Sequence, residues 1–211
     1  RALFLYGRYR KLERGIPQTR WPCRACRGRD GGCESCNGTG QQYPNSIQSL
    51  VCETLVELTE AKSDAFHGMG REDIDVRCIG NGRPFVAELK SPIRRTLNVE
   101  KLMEQINKGA KDKIEVTGLR YSNRAEVARI KETKAEKSYT IRFTCEHGLD
   151  EAEITKRIQS LSGQVLEQQT PQRVAHRRAD KVRKRKVISI DNILVEEYEI
   201  EFDVRCESGT Y

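Results

Sequence analysis

Apolar and polar positions divide the chain into short alternating stretches interleaved with helical ones. Leu3, Phe4, Leu5 and Tyr6, following Ala2, predict a short strand or extended segment over residues 1–10 that runs into basic residues. Ile47, Leu50, Val51, Leu55 and Leu58 recur at helical spacing behind a cap at Asn45 or Ser46. Residues 74–90 alternate through Ile74, Val76, Cys78, Phe85, Val86 and Leu89 around Asn81-Gly82, which predicts a β-hairpin. A second helix over residues 99–108 puts Leu102, Met103 and Ile106 on one side. A strand over 114–121 and a short helix over 124–131 follow. Residues 139–145 alternate as a strand, and residues 151–161 read as a helix through Ile154, Ile158 and Leu161. Two final strands, about 186–190 and 194–206, would close a sheet. Hairpins mixed with single helices predict an α+β fold with a mostly antiparallel mixed sheet flanked by helices.

Composition adds limits. The 211 residues carry 38 Lys+Arg against 31 Asp+Glu, a net charge of +7. That length suits one large domain or two small ones and can bury a core. No stretch approaches the ~20 apolar residues of a membrane span, and no charged-then-apolar signal pattern opens the chain, so a membrane partner and secretion are not expected. The basic balance points to an anionic partner, and the placement of the charge matters more than its total.

Eight cysteines change the picture further. Cys23-Arg-Ala-Cys26 and Cys33-Glu-Ser-Cys36, six residues apart, supply four thiolates. Two close pairs can take opposite edges of a tetrahedron, so a Zn²⁺ site with a structural role is expected in a small insert over residues 20–42. The second pair, followed by Asn-Gly-Thr-Gly, resembles the knuckle of Hsp40 chaperones. Arg20, Arg24, Arg27 and Arg29 decorate the insert, which reads either as a contact to RNA or DNA or as a staple that orders a loop. Cys52, Cys78, Cys145 and Cys206 read as small buried or half-buried residues.

The densest chemical stretch is His67-Gly-Met-Gly70-Arg71-Glu72-Asp73-Ile-Asp75-Val-Arg77, with Glu88-Leu-Lys90 beyond it. One reading is a Mg²⁺-dependent nuclease built on Asp75, Glu88 and Lys90, in which carboxylates hold the metal and the lysine steadies an attacking water. The other is a metal-free nucleophile, a carboxylate emerging from a glycine-rich loop and kept ionised by an adjacent cation. A non-catalytic, zinc-stapled RNA-binding module is the third reading. Residues 171–186 place Arg173, Arg177, Arg178, Lys181, Arg183, Lys184, Arg185 and Lys186 against the single acid Asp180. Phosphate contacts are the natural use of such a ribbon, and a solvated lysine-rich edge strand is the alternative.

Gly70-Arg71-Glu72-Asp73 resembles the catalytic motif of pseudouridine synthases. Gly7-Arg-Tyr-Arg-Lys-Leu, Ile16-Pro-Gln-Thr, Gly70-Arg-Glu-Asp-Ile-Asp-Val-Arg, Gly80-Asn-Gly-Arg-Pro-Phe and Thr170-Pro-Gln-Arg-Val-Ala-His-Arg-Arg-Ala-Asp together resemble the tRNA pseudouridine synthase Pus-ten family of archaea and eukaryotes. The resemblance runs in order through nearly the whole chain. It implies a pseudouridine synthase-like catalytic domain, of which residues 1–211 are a part. It also implies an RNA-binding THUMP region outside this chain. The expected reaction is isomerisation of uridine in the TΨC arm of tRNA, at position 54 and/or 55, with no organic cofactor. Asp73 matches the catalytic aspartate and Tyr139 the tyrosine that stacks on the target base, while Arg71 would orient the flipped nucleotide or its phosphate. Tyr211 opens the motif whose following basic residue pairs with the catalytic aspartate. This chain stops before that residue, so the resemblance implies an inactive molecule if nothing follows Tyr211. The basic stretch would form a thumb-like loop that grips the RNA, with His176, Arg177 and Arg178 nearest the substrate. A monomer is expected, within the cytoplasm of an archaeon or the nucleus or cytoplasm of a eukaryote.

Overall fold

Alternation along β1 (Leu3–Lys11) buries Leu3, Leu5, Gly7, Tyr9 and Lys11 and leaves the residues between them half-buried. Such alternation suits an antiparallel sheet with one face on the core, and β1 lies between two partners. The computed structural model describes residues 1–146, 150–172 and 179–210. They fall into two compact units, Arg1–Thr133 and Lys134–Tyr211. Each unit contains one antiparallel four-stranded sheet flanked by helices, in keeping with the expected α+β class.

In the first unit the strand order is β2 (Ser63–Gly68), β3 (Cys78–Lys90), β1, β4 (Ile114–Ser122). Helix α1 (Ile47–Thr59) begins where the Ser46 hydroxyl accepts the Ser49 N–H, and it buries Ile47, Val51, Cys52 and Leu55. Helix α2 (Val99–Gly109), capped by Asn98, adds Leu102 and Ile106 to the same core, which also holds Phe85, Ala87 and Leu89 of β3 and Ile114 and Val116 of β4. Helix α3 (Arg124–Glu132) starts at the Asn123 cap.

The expected hairpin at Asn81-Gly82 does not form. Residues 78–90 are one strand, because the residues on both sides of the dipeptide pair with β1 rather than with each other. Tyr9 pairs with Arg83 and Lys11 with Cys78, so residues 79–82 bulge out of the ladder. Gly82, with φ of 71°, comes so close to β1 that a Cβ there would lie 2.9 Å from the Tyr9 carbonyl oxygen. Arg8 donates to the carbonyls of Asn81 (2.7 Å) and Gly82 (3.0 Å), which fixes the bulge. Residues 74–77 are thereby freed from the sheet to complete a loop.

In the second unit the order is β5 (Lys137–Thr144), β8 (Glu199–Cys206), β7 (Arg183–Val195), β6 (Val165–Gln168). Helix α4 (Glu151–Gln159), capped by Asp150, contributes Ile158 to a core of Val187, Ile190, Ile200, Phe202, Val204 and Cys206. No helix among the described residues is long and apolar enough to cross a membrane.

Candidate active site and metal centre

The segment between β2 and β3 is held by its own carbonyls. Arg83 Nη1 donates to Met69 O (2.7 Å) and Gln18 Nε2 to Gly70 O (3.0 Å). Lys11 Nζ donates to Asp73 O (2.8 Å) and Ile74 O (3.2 Å), and also to Ile16 O (3.1 Å). Gly15 N–H donates to Ile74 O (2.8 Å) and Arg14 Nη1 to Asp75 O (2.5 Å). Main-chain oxygens of the loop therefore face donors from β1, from the residues after it and from β3. Gly70 takes a left-handed φ of 68°, which swings the chain so that Arg71 is exposed and Asp73 half-buried while Glu72 turns inward.

Glu72 is the centre of the buried set. Its carboxylate accepts Tyr9 Oη–H at 2.8 Å and lies 2.7 Å from Arg83 Nε and 3.9 Å from Lys11 Nζ. Gln18 Nε2 donates to Tyr9 Oη at 2.9 Å. Burial pushes the Tyr9 phenol well above the ordinary tyrosine range, and the neighbouring Glu72 charge pushes it further, so Tyr9 stays a donor. Burial pulls the Lys11 ammonium below the ordinary lysine range, and the Glu72 charge opposes that pull. Two cations thus share one buried carboxylate, and one of those cations holds the main chain of Asp73.

Sequence reasoning passed over Tyr9, Lys11, Gln18, Glu72 and Arg83 as individuals. The available signal was the period-two pattern of β1, which puts Lys11 on the face of Leu3, Leu5 and Tyr9. A lysine on a core face needs partners.

The four expected metal ligands come together. The Sγ atoms of Cys23, Cys26, Cys33 and Cys36 all lie within 4.8 Å of one another. Cys23–Cys33 is 3.8 Å, Cys26–Cys36 3.9 Å and Cys33–Cys36 3.7 Å. A tetrahedron with metal–sulfur bonds of about 2.3 Å has edges of about 3.8 Å, so the spacing fits a metal ion. Burial works to raise the Cys36 thiol, but the N–H groups of Cys33 (3.1 Å) and Gly40 (3.2 Å) outweigh it and bring the pKa to about 6. Cys36 is thus predisposed to the thiolate form.

Glu88 Oε2 sits 2.9 Å from His67 Nε2, and Arg124 lies 3.9 Å from Glu88 Oε1. Its neighbours are therefore an imidazole and a guanidinium, while Asp75 and Lys90 are exposed. Among the described residues the cysteines form the only group of three or more His, Cys, Asp or Glu side chains close enough to share a metal.

The remaining expected site residues belong to the second unit. Tyr139 lies on the edge strand β5 opposite Val204, and Ile141 and Phe143 follow on the same face opposite Phe202 and Ile200. All three are exposed, so Tyr139 presents its ring at the open margin of an apolar surface. Lys181 is exposed and shares main-chain bonds with Thr170 at the base of the basic stretch. Arg183 donates to Thr170 Oγ1 (2.5 Å) and to the carbonyls of Lys181 and Ala179 (both 3.2 Å). Arg173, His176, Arg177, Arg178 and Tyr211 lie outside the described residues.

An α+β chain with an anchored Gly-Arg-Glu-Asp loop and a four-cysteine insert has clear relatives. The family model described as "Pus10, C-terminal" matches residues 4–211, and the chain belongs to that family. A protein named tRNA pseudouridine synthase Pus10 from Methanothrix thermoacetophila is 45% identical over 99% of this chain and 46% of its own length. The protein of the same name from Methanocaldococcus jannaschii is 43% identical over 99% of this chain and 45% of its own length. The chain thus spans about half the length of these relatives. A solved Cbf5–Nop10–Gar1 complex aligns with 97% of this chain and 40% of the matched chain, at 17% identity and a TM-score of 0.46.

Proposed function

We propose that this chain carries the catalytic part of a tRNA pseudouridine synthase that isomerises uridine in the TΨC arm, at position 54 and/or 55, without an organic cofactor. The observation that carries the reading is the loop over residues 70–73, whose main chain is clamped from inside while Arg71 is exposed and Asp73 half-buried. A catalytic group needs this combination of a rigid backbone and an accessible side chain. The C1′–N1 bond breaks, the uracil turns within the pocket and a C1′–C5 bond forms, after which C5 gives up its proton and N1 takes one up. Asp73 adds to the sugar or removes its 2′ proton. The target base must leave its stack, and stacking on Tyr139 offsets part of that cost. Arg71 orients the flipped nucleotide or its phosphate, and Tyr211 is assigned to substrate binding.

Both units belong to one catalytic domain in this reading, with residues 20–42 inserted. Arg173, His176, Arg177, Arg178, Lys181 and Arg183 hold the RNA through phosphates. The molecule acts inside the cell as a monomer. The test is a set of tRNA transcripts carrying cytidine at position 54, at 55 or at both, with uridine tritiated at C5. Tritium release should persist on single replacements that spare the target and vanish on the double one. Undiminished release from the double replacement would contradict the assignment to this arm.

The ion held by the four cysteines is zinc in a structural role. Four thiolates leave no open ligand position, and a tetrahedral all-sulfur set suits Zn²⁺. The cysteine cluster is separate from the hydrophobic core of the first unit. Replacing Cys23 and Cys36 together by Ser should abolish one equivalent of bound zinc, measured by elemental analysis. The main unfolding transition should persist, since the core does not include the insert.

A further inference from the structure

Trp21, the only tryptophan of the chain, stands at the foot of the cysteine insert. On one side its neighbour Arg20 is tied to the body of the first unit through Asp64 (2.8 Å). On the other side the cysteine cluster begins. Trp21 O accepts Gln42 N–H (2.8 Å), Pro22 bridges to Gln41, and Cys23 N–H donates to Gly40 O (2.7 Å). Gly40 N–H in turn donates to Cys36 Sγ (3.2 Å), so the outgoing strand of the foot is bonded directly to a metal ligand. Tyr43 packs edge-on against the indole at 5.6 Å. Above this indole lies the Arg71 guanidinium, with its Cζ 5.4 Å from the ring centroid. Arg71 is two residues from Asp73, on the loop clamped from below.

We propose that Trp21 is a positioning residue for Arg71, and that the metal-loaded insert holds Trp21 in place against the catalytic loop. This rests on the reading of Gly70–Asp73 as the catalytic loop. Cation–π attraction restrains a guanidinium over the indole face, and its N–H groups remain available to a phosphate. The main-chain clamps end at the backbone, whereas the indole meets the Arg71 guanidinium itself. The insert is then a lever on substrate placement as well as a staple.

Three variants and the emission of the single indole test this. Trp21→Ala should raise KM for tRNA about two- to five-fold, the size of an exposed cation–π contact, with kcat within about two-fold of wild type. Trp21→Phe should restore most of the loss. The double variant Trp21→Ala/Arg71→Ala should bind no worse than Arg71→Ala alone, because the two residues act as one unit. Removing the metal by the Cys23→Ser/Cys36→Ser substitution should shift Trp21 emission to the red and increase its quenching by acrylamide. An unchanged KM in Trp21→Ala, additive effects in the double variant, or unaltered emission in metal-free protein would each overturn the proposal. If the cysteine variant does not fold, the Trp21/Arg71 cycle in metal-loaded protein decides alone. If wild-type protein shows no isomerisation, the functional reading fails, while emission and tRNA-binding constants still decide the coupling.

Discussion

The Asp73→Asn protein is expected to fold and bind tRNA as wild type does while isomerisation falls on the order of 10⁴-fold or more. Asn has the shape of Asp and keeps the main-chain carbonyl that accepts from Lys11 at 2.8 Å, so the loop should not move. What it lacks is a negative oxygen able to add to the sugar or take its proton. Asp73→Glu separates chemistry from geometry. Glutamate keeps the charge, but its extra methylene carries the carboxylate about 1 Å out of place, and a backbone clamped at Gly70, Asp73 and Ile74 cannot retreat to compensate. A loss of roughly 10²-fold is the expected size of such a misplacement. Single-turnover rates of C5 tritium release, alongside tRNA dissociation constants, check both variants. Full activity in Asp73→Asn would remove the residue from the mechanism.

The Glu72→Ala protein is expected to lose about 3–5 kcal/mol of stability, the usual cost of leaving buried charges without their partner. Lys11 and Arg83 would both lose the carboxylate they share, and Tyr9 would lose its acceptor. Few single substitutions in the chain should cost as much. Urea unfolding at pH 7 measures it, with the midpoint falling and the slope unchanged. Glu72→Gln can still accept from Tyr9 and should cost less. A loss within about 0.5 kcal/mol, typical of surface positions, would contradict the description of this network as a buried clamp.

The adjacent residues Glu72 and Asp73 show how far the sequence was legible. Asp73 could be singled out because its side chain belongs to a recognisable Gly-Arg-x-Asp pattern. Glu72 could not, because its role depends on Tyr9 and Lys11, far away in the chain, and on Arg83 beyond the loop. The stretches 7–12 and 80–85 that carried the family resemblance supply those partners, and 16–19 supplies Gln18, which bonds Tyr9. Only the folded chain shows that they meet under one loop. The four cysteines needed no such help, since their spacing is local and their chemistry specific.

The elements divide along the same line. Helix α1 was readable from Ile47, Val51 and Leu55 behind Ser46, because both the stripe and the cap lie within one segment. Strand β2 was not, since Ser63-Asp64-Ala65-Phe66-His67-Gly68 has one large apolar residue and is a strand because β3 pairs with it. Strand β6, Val165–Gln168, is short and likewise defined by its partner β7. Asn81-Gly82 misled for the opposite reason. The dipeptide is a strong local turn signal, but Cys78 and Arg83 on either side of it both pair with β1, so its freedom goes into a bulge instead.

The central claim is that a metal-independent aspartate on the Gly70–Asp73 loop isomerises uridine in RNA. The most direct measurement is C5 tritium release from uridine-labelled tRNA in excess EDTA, with the zinc content of the protein verified at the end of the reaction. The account predicts release by wild-type protein with intact strands and no change in mass, and none by Asp73→Asn. Strand cleavage that stops in EDTA and returns with Mg²⁺ would contradict it.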